Sequence, residues 1–142
     1  LFRSITGSRS EVLVGDSVFA GLNIVQTGAQ DPAAISMWLK ACDVVALPFL
    51  EGLSSRRGSF MNAVAHGIPV VTTEPKVDGV VDVAGHEVVF IPRGNVEALA
   101  QELASLRNDG AKRDSLATGS LAVAERHSWS EIARRTQEVY GL

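Results

Sequence analysis

Residues 51–73 read EGLSSRRGSFMNAVAHGIPVVTT and hold the densest run of reactive groups in the chain. Glu51 brings a carboxylate, Ser54 and Ser55 bring hydroxyls, and Arg56 and Arg57 bring two adjacent guanidinium groups. Gly58 and Ser59 then open a short apolar helix, which stops at Gly67 and runs into a strand at Val70-Val71-Thr72. The first N–H groups of a helix have no acceptor within it, so a loop that ends at a helix start offers free donors to an anion. Guanidinium groups beside them suit phosphate or pyrophosphate, which they can hold through paired hydrogen bonds. Gly58 and Ser59 could equally be a plain helix cap, and a cap and a phosphate site need the same geometry. Adjacent side chains seldom point the same way, so one arginine is expected at the ligand and the other in solvent. Glu51 has the alternative reading of a solvated loop acid. Asn62, one turn into the helix, faces either the ligand or the solvent.

The elements that must position this loop follow from apolar patterning. Val12-Leu13-Val14 before Gly15-Asp16 reads as a strand entering a turn, and residues 22–27 read as a second strand stopped by Gly28. Asp31-Pro32 is a helix start, an N-cap acid with proline at the first helical position. Ile35, Trp38 and Leu39 give that helix one buried face. Residues 44–47 form a short apolar strand closed by Pro48, residues 69–73 another, and residues 87–91 a further one closed by Pro92. Asn95 caps a helix carrying Leu99, Leu103 and Leu106, which ends at Asn108-Asp109-Gly110. Residues 111–126 form the next helix, weakened at Gly119. Ser128 and Glu131 fit a capping box that opens a last helix, with Ile132 and Val139 inward. Leu1-Phe2-Arg3-Ser4-Ile5 resembles the end of a helix, which suggests a fragment of a longer protein. Short apolar strands alternating with helices predict an α/β, Rossmann-like parallel sheet with helices on both faces and a helical C-terminal tail. In such sheets ligands collect beyond the carboxyl ends of the strands, where the loops at 28–30 and 49–58 lie.

The bulk properties bound the partners. The chain has 142 residues, one domain's worth, and is expected to be a single domain over 1–142. A formal charge of -3 argues against broad nucleic-acid binding. No apolar run approaches the roughly 20 residues of a membrane helix, and no secretory leader opens the sequence. The single cysteine, Cys42, excludes an internal disulfide and is read as a packing residue. The expected location is the cytoplasm. Asp78 and Asp82 are read as water-facing rather than as metal ligands, and Trp38 and Trp129 as packing residues. His66, at a helix end, complements the macrodipole. His86 and His127 carry no assigned role.

In order, these segments resemble the C-terminal, donor-binding domain of a GT-B fold glycosyltransferase, most like the retaining family 4 (group 1) enzymes. The resemblance rests on Val12-Leu13-Val14-Gly15-Asp16, Thr27-Gly28, the run from Trp38 to Val44 with Leu47-Pro48-Phe49, the run from Ala63 to Val71, and Ser128-Trp129. It implies half of a GT-B fold that binds a nucleotide-diphosphate sugar and transfers the sugar with retention, without metal or other cofactor. Glu51 matches the family's first glutamate, which lies near the donor sugar. The second, seven residues further on in the family, holds ribose hydroxyls; here that position falls on Asn62, with three extra residues between. Asparagine can bond a hydroxyl but lacks the charge and the second acceptor oxygen of a carboxylate. The family's Arg and Lys come from a loop this sequence does not contain, so Arg56 or Arg57 is expected to supply part of that charge, unless that loop lies elsewhere in the full protein. The donor set implied is Gly28, Ala29 and Gln30 at the base, and Ser54, Ser55, Arg56, Gly58, Ser59 and Asn62 around the phosphates and ribose. Glu51 and Arg57 are the catalytic candidates. The acceptor, unknown, would be bound by an N-terminal domain that could also attach the protein peripherally to a membrane. The isolated chain is expected to bind nucleotide weakly and to catalyse nothing.

Two other readings stand beside this one. The lost second glutamate permits a degenerate, non-catalytic module that serves assembly or regulation. A sugar-nucleotide epimerase of the same fold would need further acid–base groups, and the sequence offers no convincing set.

Overall fold

The structure, a computed structural model, describes residues 2–4, 24–77 and 81–141. The chain divides into two compact units, Leu1–Trp38 and Leu39–Leu142. The strand expected at Val12-Leu13-Val14, its Gly15-Asp16 turn and Asp78 lie outside the described residues.

In the first unit, β1 (Phe2–Ser4) pairs parallel with β2 (Ile24–Gln26), with Phe2 opposite Ile24 and Ser4 opposite Gln26. Within the helix end expected over the first five residues, Phe2–Ser4 is therefore a strand. A parallel partner from distant sequence supplies the hydrogen bonds there, a contact that local pattern does not encode. Helix α1 (Pro32–Lys40) starts as expected: Asp31 Oδ1 accepts from the N–H groups of Ala33 at 2.9 Å and Ala34 at 3.0 Å. Leu39 is buried and Ile35 and Trp38 are half-buried, while Met37 between them is exposed.

The second unit is built on three parallel strands in the order β3 (Val45–Leu47), β4 (Val70–Thr73), β5 (Val89–Ile91). All four residues of the central strand β4 are buried, and alternate ones serve opposite faces. Val70 joins Phe60, Ala63 and Val64 of α2 (Gly58–Ala65) and Val123 of α4 (Gly110–Arg126). Val71 joins Ile91, Leu106 of α3 (Val96–Asn108) and Leu116. Helices thus cover both faces of an open, Rossmann-like sheet.

Helix ends are closed by their own residues. Asn95 and Asp109 cap α3 and α4 by accepting from Ala98 N–H at 2.9 Å and Lys112 N–H at 2.8 Å. Gly67, with φ of +65°, ends α2: its N–H reaches Val64 O at 3.0 Å, and that of Ile68 reaches Ala63 O at 3.4 Å. His66 Nδ1 donates to Asn62 O at 2.7 Å and His127 Nδ1 to Val123 O at 2.9 Å, so each imidazole helps to close a helix.

Three expectations about the helical half change. Gly119 does not weaken α4, which runs unbroken; it is where the helix lies against the backbone before β5. A Cβ there would sit 2.6 Å from Glu87 Cα and 3.1 Å from Glu87 O. The capping box is half formed. Ser128 Oγ accepts Glu131 N–H at 3.3 Å, but the Glu131 carboxylate turns to Arg134 and Arg135, which hold it down to a pKa of about 2. Finally, α5 (Trp129–Tyr140) does not bury its apolar stripe: Trp129 is 86% exposed, Ile132 42% and Val139 82%. Helical spacing identifies an apolar face but not whether a neighbour exists to cover it. Among the described residues no helix is long and apolar enough to cross a membrane.

A part-buried ion pair ties α4 to the segment before β5. Glu87, 5% exposed, takes a hydrogen bond from Arg126 Nη2 at 2.7 Å and from Ala84 N–H at 2.7 Å, and Arg126 also reaches Asp82 O at 3.2 Å. The Arg126 hydrogen bond outweighs burial and holds Glu87 below its ordinary 4.5. A folded-state pKa below the unfolded one gives stability that is present above pH 4.5 and lost as pH falls through the folded value. Glu87→Gln is therefore expected to lower the melting temperature at neutral pH and to flatten its decline on acidification below about pH 4.5, read by thermal unfolding across pH. Gly119→Ala is expected to cost about 1–3 kcal/mol by the same measurement. Gly85→Ala, whose Cβ would meet nothing within 4 Å, serves as the neutral control.

Candidate functional site

The loop between β3 and α2 leaves the carboxyl edge of the sheet, and the two threonines ending β4 anchor it. Thr72 Oγ1 donates to Leu47 O at 2.9 Å and Thr73 Oγ1 to Phe49 O at 2.7 Å, while Leu53 N–H donates to Thr73 O at 3.2 Å. The two threonine bonds pair buried hydroxyls, each of which would cost about 1–3 kcal/mol if left unpaired, and they add a second donor to carbonyls that already accept the N–H groups of Phe49 at 2.9 Å and Gly52 at 3.1 Å. Leu53 inserts its side chain into the core at 2% exposure. Gly52 turns the chain there with φ of +79°, and a Cβ on it would sit 2.3 Å from Glu74 O. The loop backbone therefore lies directly on residues 74–76.

Beyond Leu53 the loop rises to the surface. Ser54 is half-buried and its carbonyl accepts Arg57 N–H at 3.1 Å, closing a turn with Ser55 and Arg56 exposed at its tip. Arg57 folds back: its guanidinium carbon lies 4.7 Å from the Phe49 ring centre, a cation–π contact worth about 0.5–1 kcal/mol near a surface. Its Nε is buried and without a hydrogen-bond partner. Arg57 is also the N-cap residue of α2, in extended conformation and without a side-chain cap. Its carbonyl takes the N–H groups of Phe60 at 3.0 Å and Met61 at 3.1 Å. The N–H groups of Gly58 and Ser59 have no acceptor among the described residues, and both residues are exposed. The two arginines thus part company, one held against an aromatic ring and the other at the surface.

Helix α2 buries Phe60, Ala63 and Val64, which leaves Asn62 exposed one turn beyond Ser59 on the outer face. Glu51 is exposed, with Lys76 Nζ 3.6 Å from its Oε2. Residues 51, 54–59 and 62 therefore belong to one loop and helix start. Gly28, Ala29 and Gln30 belong to the first unit: Gly28 takes φ of +63°, all three are exposed, and Gln30 Nε2 donates to Thr27 O at 2.6 Å.

Two residues of the site escape the sequence reading. Phe49 was only the first residue of the loop there, within the run that carries the resemblance, and is the platform for Arg57. Lys76 carried no motif; the available signal was a cation three residues past the end of a wholly buried strand, on the edge where the loop leaves.

Residues 5–109 match the family described as Glycosyl transferases group 1. Among solved structures, the chain is similar to Anabaena Alr3699/HepE in complex with UDP, with a TM-score of 0.69 and 22% identity over 83% of this chain and 32% of that one. Similarity to the same protein in complex with UDP-glucose has a TM-score of 0.68 and 20% identity over 85% of this chain and 33% of the other. The C-terminal domain of a group 1 family glycosyl transferase, LpcC from Francisella tularensis, aligns with a TM-score of 0.60 and 18% identity over 73% of this chain and 53% of that one. At such identities the likeness is one of fold. The chain spans about a third of the length of HepE. No curated protein matches it.

The fit of Gly52 on Glu74 gives a direct test of the loop's foundation. Gly52→Ala is expected to cost about 1–3 kcal/mol in thermal unfolding, since the close approach and the left-handed backbone both resist a side chain. Gly58→Ala, whose Cβ meets nothing within 4 Å, is expected to leave the melting temperature unchanged.

Proposed function

The chain belongs to the group 1 glycosyl transferases, and from that premise we propose that residues 51–62 form the donor site for a nucleotide-diphosphate sugar. The observation that carries this reading is the pair of unpartnered N–H groups at Gly58 and Ser59, with Arg57 held beside them on Phe49. The diphosphate sits over those donors, where the helix N-terminus adds a favourable partial charge. Arg57 faces the phosphate oxygens, Arg56 at the exposed tip adds its charge from a distance, and Ser54 and Ser55 are hydroxyl donors at the rim. Asn62 bonds a ribose hydroxyl. Glu51 accepts hydrogen bonds from the donor sugar.

In the reaction the bond from the anomeric carbon to the diphosphate oxygen breaks, and the electron pair leaves with the diphosphate. Charge then builds on the leaving group, where preorganised donors act most strongly. The sugar passes to its acceptor with retention of configuration and without metal. The acceptor groups come from a separate N-terminal domain, so this chain binds donor but completes no transfer alone. The HepE structures of similar fold contain UDP or UDP-glucose, which makes UDP the first probe.

One observation favours a second reading. Asn62 stands where a ribose-binding carboxylate is expected, which suits a non-catalytic module. Unchanged transfer by the full-length protein carrying both Glu51→Ala and Arg57→Ala would establish it.

Calorimetry is expected to detect weak binding of at least one of UDP, GDP and ADP to the chain. Arg57→Ala should weaken that binding about tenfold, equivalent to about 1.4 kcal/mol. Gly58→Pro is the more incisive variant. Proline suits the first helical position, the preceding Arg57 is already extended with ψ of 93°, and only the N–H is lost. The expected outcome is intact folding with several-fold weaker binding. Absence of heat with all three nucleotides, or full affinity in Gly58→Pro, refutes the site.

A further inference from the structure

Lys76 belongs to none of the motifs read from the sequence, yet it is the cation that meets Glu51. Its Nζ stands 3.6 Å from Glu51 Oε2, beyond a normal hydrogen bond, and both side chains are largely exposed, at 69% and 72%. An exposed pair of this kind contributes little to stability. It does not hold the loop in place, because the backbone does that already: a Cβ on Gly52 would lie 3.1 Å from Lys76 N, and Leu53 N–H is bonded to Thr73 O. The root of Lys76 is thus fixed against the residue next to Glu51 whether or not the ions pair, while its ammonium group remains loose.

Such an arrangement answers a problem of charge. A carboxylate on the loop that receives an anionic diphosphate repels it, and solvent screening of that repulsion is incomplete within about 8–10 Å. We infer that Lys76 is a positioning residue for the donor: it neutralises Glu51 and holds its carboxylate toward the end of β4, so that the diphosphate can settle before Glu51 turns to the sugar. This role rests on the donor-site reading and extends it to a residue on a different segment. Its weakness as an ion pair is functional, since Glu51 must be released when sugar hydroxyls arrive. Lys76 acts through Glu51 rather than on the phosphate, and that distinction is measurable.

The test is a double-mutant cycle on the full chain with UDP as probe, read by calorimetry. Lys76→Gln is expected to weaken UDP binding three- to tenfold, while Lys76→Arg stays within twofold of the parent. In a Glu51→Gln background the effect of Lys76→Gln should shrink to less than twofold, because no carboxylate is left to neutralise. Melting temperatures of all variants should match the parent's, which separates this role from a structural one. An equal loss in both backgrounds means that Lys76 binds the phosphate directly and overturns the proposal. Unaltered affinity of Lys76→Gln overturns it too, while leaving the donor site standing. A parent chain that binds none of UDP, GDP or ADP removes the donor site and this role together.

Discussion

The candidate site hangs on the hydroxyls of two buried threonines. Thr72 and Thr73 end the central strand, and their side chains reach sideways to Leu47 O and Phe49 O, the carbonyls at which the neighbouring chain stops being a strand. Valine would pack as well in that core but would remove these side-chain ties, leaving each carbonyl with its backbone donor alone, the N–H of Phe49 at 2.9 Å and that of Gly52 at 3.1 Å. Fixing Phe49 has consequences down the chain. Arg57 stacks on its ring, and Arg57 is also the residue from which α2 starts. The orientation of the free N–H groups is thus set by a relay from strand to ring to guanidinium to helix start. The tip at Ser55 and Arg56 takes no part in that relay.

Two half-buried arginines of the second unit, Arg126 and Arg57, show what makes a cation available. Arg126 meets Glu87, Asp82 and a carbonyl, and its charge is spent within the fold. Arg57 has an aromatic ring instead of a carboxylate. A ring holds a guanidinium in place without cancelling its field. The nearest loop acid, Glu51, is matched by Lys76 rather than by Arg57. The loop therefore keeps positive potential at the helix start, where the backbone dipole has the same sign. Structural and potentially functional charges are sorted by partner type rather than by residue type.

What the sequence disclosed follows this division between local and distant causes. The strands at Val45, Val70 and Val89, the caps at Asp31 and Asn95, and the stop at Gly67 were legible, because each depends on a few adjacent residues, whereas Asp109, read only as part of a helix end, also caps the next helix. The strand at Phe2–Ser4 was not, since its hydrogen-bonding partner lies at Ile24–Gln26. Gly119 was misread as a weakness because the reason for it, the backbone of Glu87, is distant in sequence. Trp129, Ile132 and Val139 show the converse error, an apolar stripe that local spacing reveals but that no described element covers. At the site, Glu51, Arg57 and Ser59 could be named from residue type. The pairing of Arg57 with Phe49 and of Glu51 with Lys76 required the fold.

The departure at Asn62 is easier to understand once the loop is seen in place. The extra length relative to the family's glutamate pair falls in a stretch that includes Ser54 to Arg57, where the bond from Arg57 N–H to Ser54 O gathers residues into a turn ahead of the helix. Length added to a surface turn costs little loop entropy. It need not shift the register of α2, whose buried face of Phe60, Ala63 and Val64 is fixed by the core. Asn62 consequently stays on the outer face, a turn beyond Ser59, and nothing in the packing demands either asparagine or glutamate there. The choice at that position is one of ligand chemistry alone. With asparagine, the outer face of α2 carries one negative charge fewer beside a proposed anionic ligand, so weaker recognition of a diol is set against reduced repulsion of phosphate.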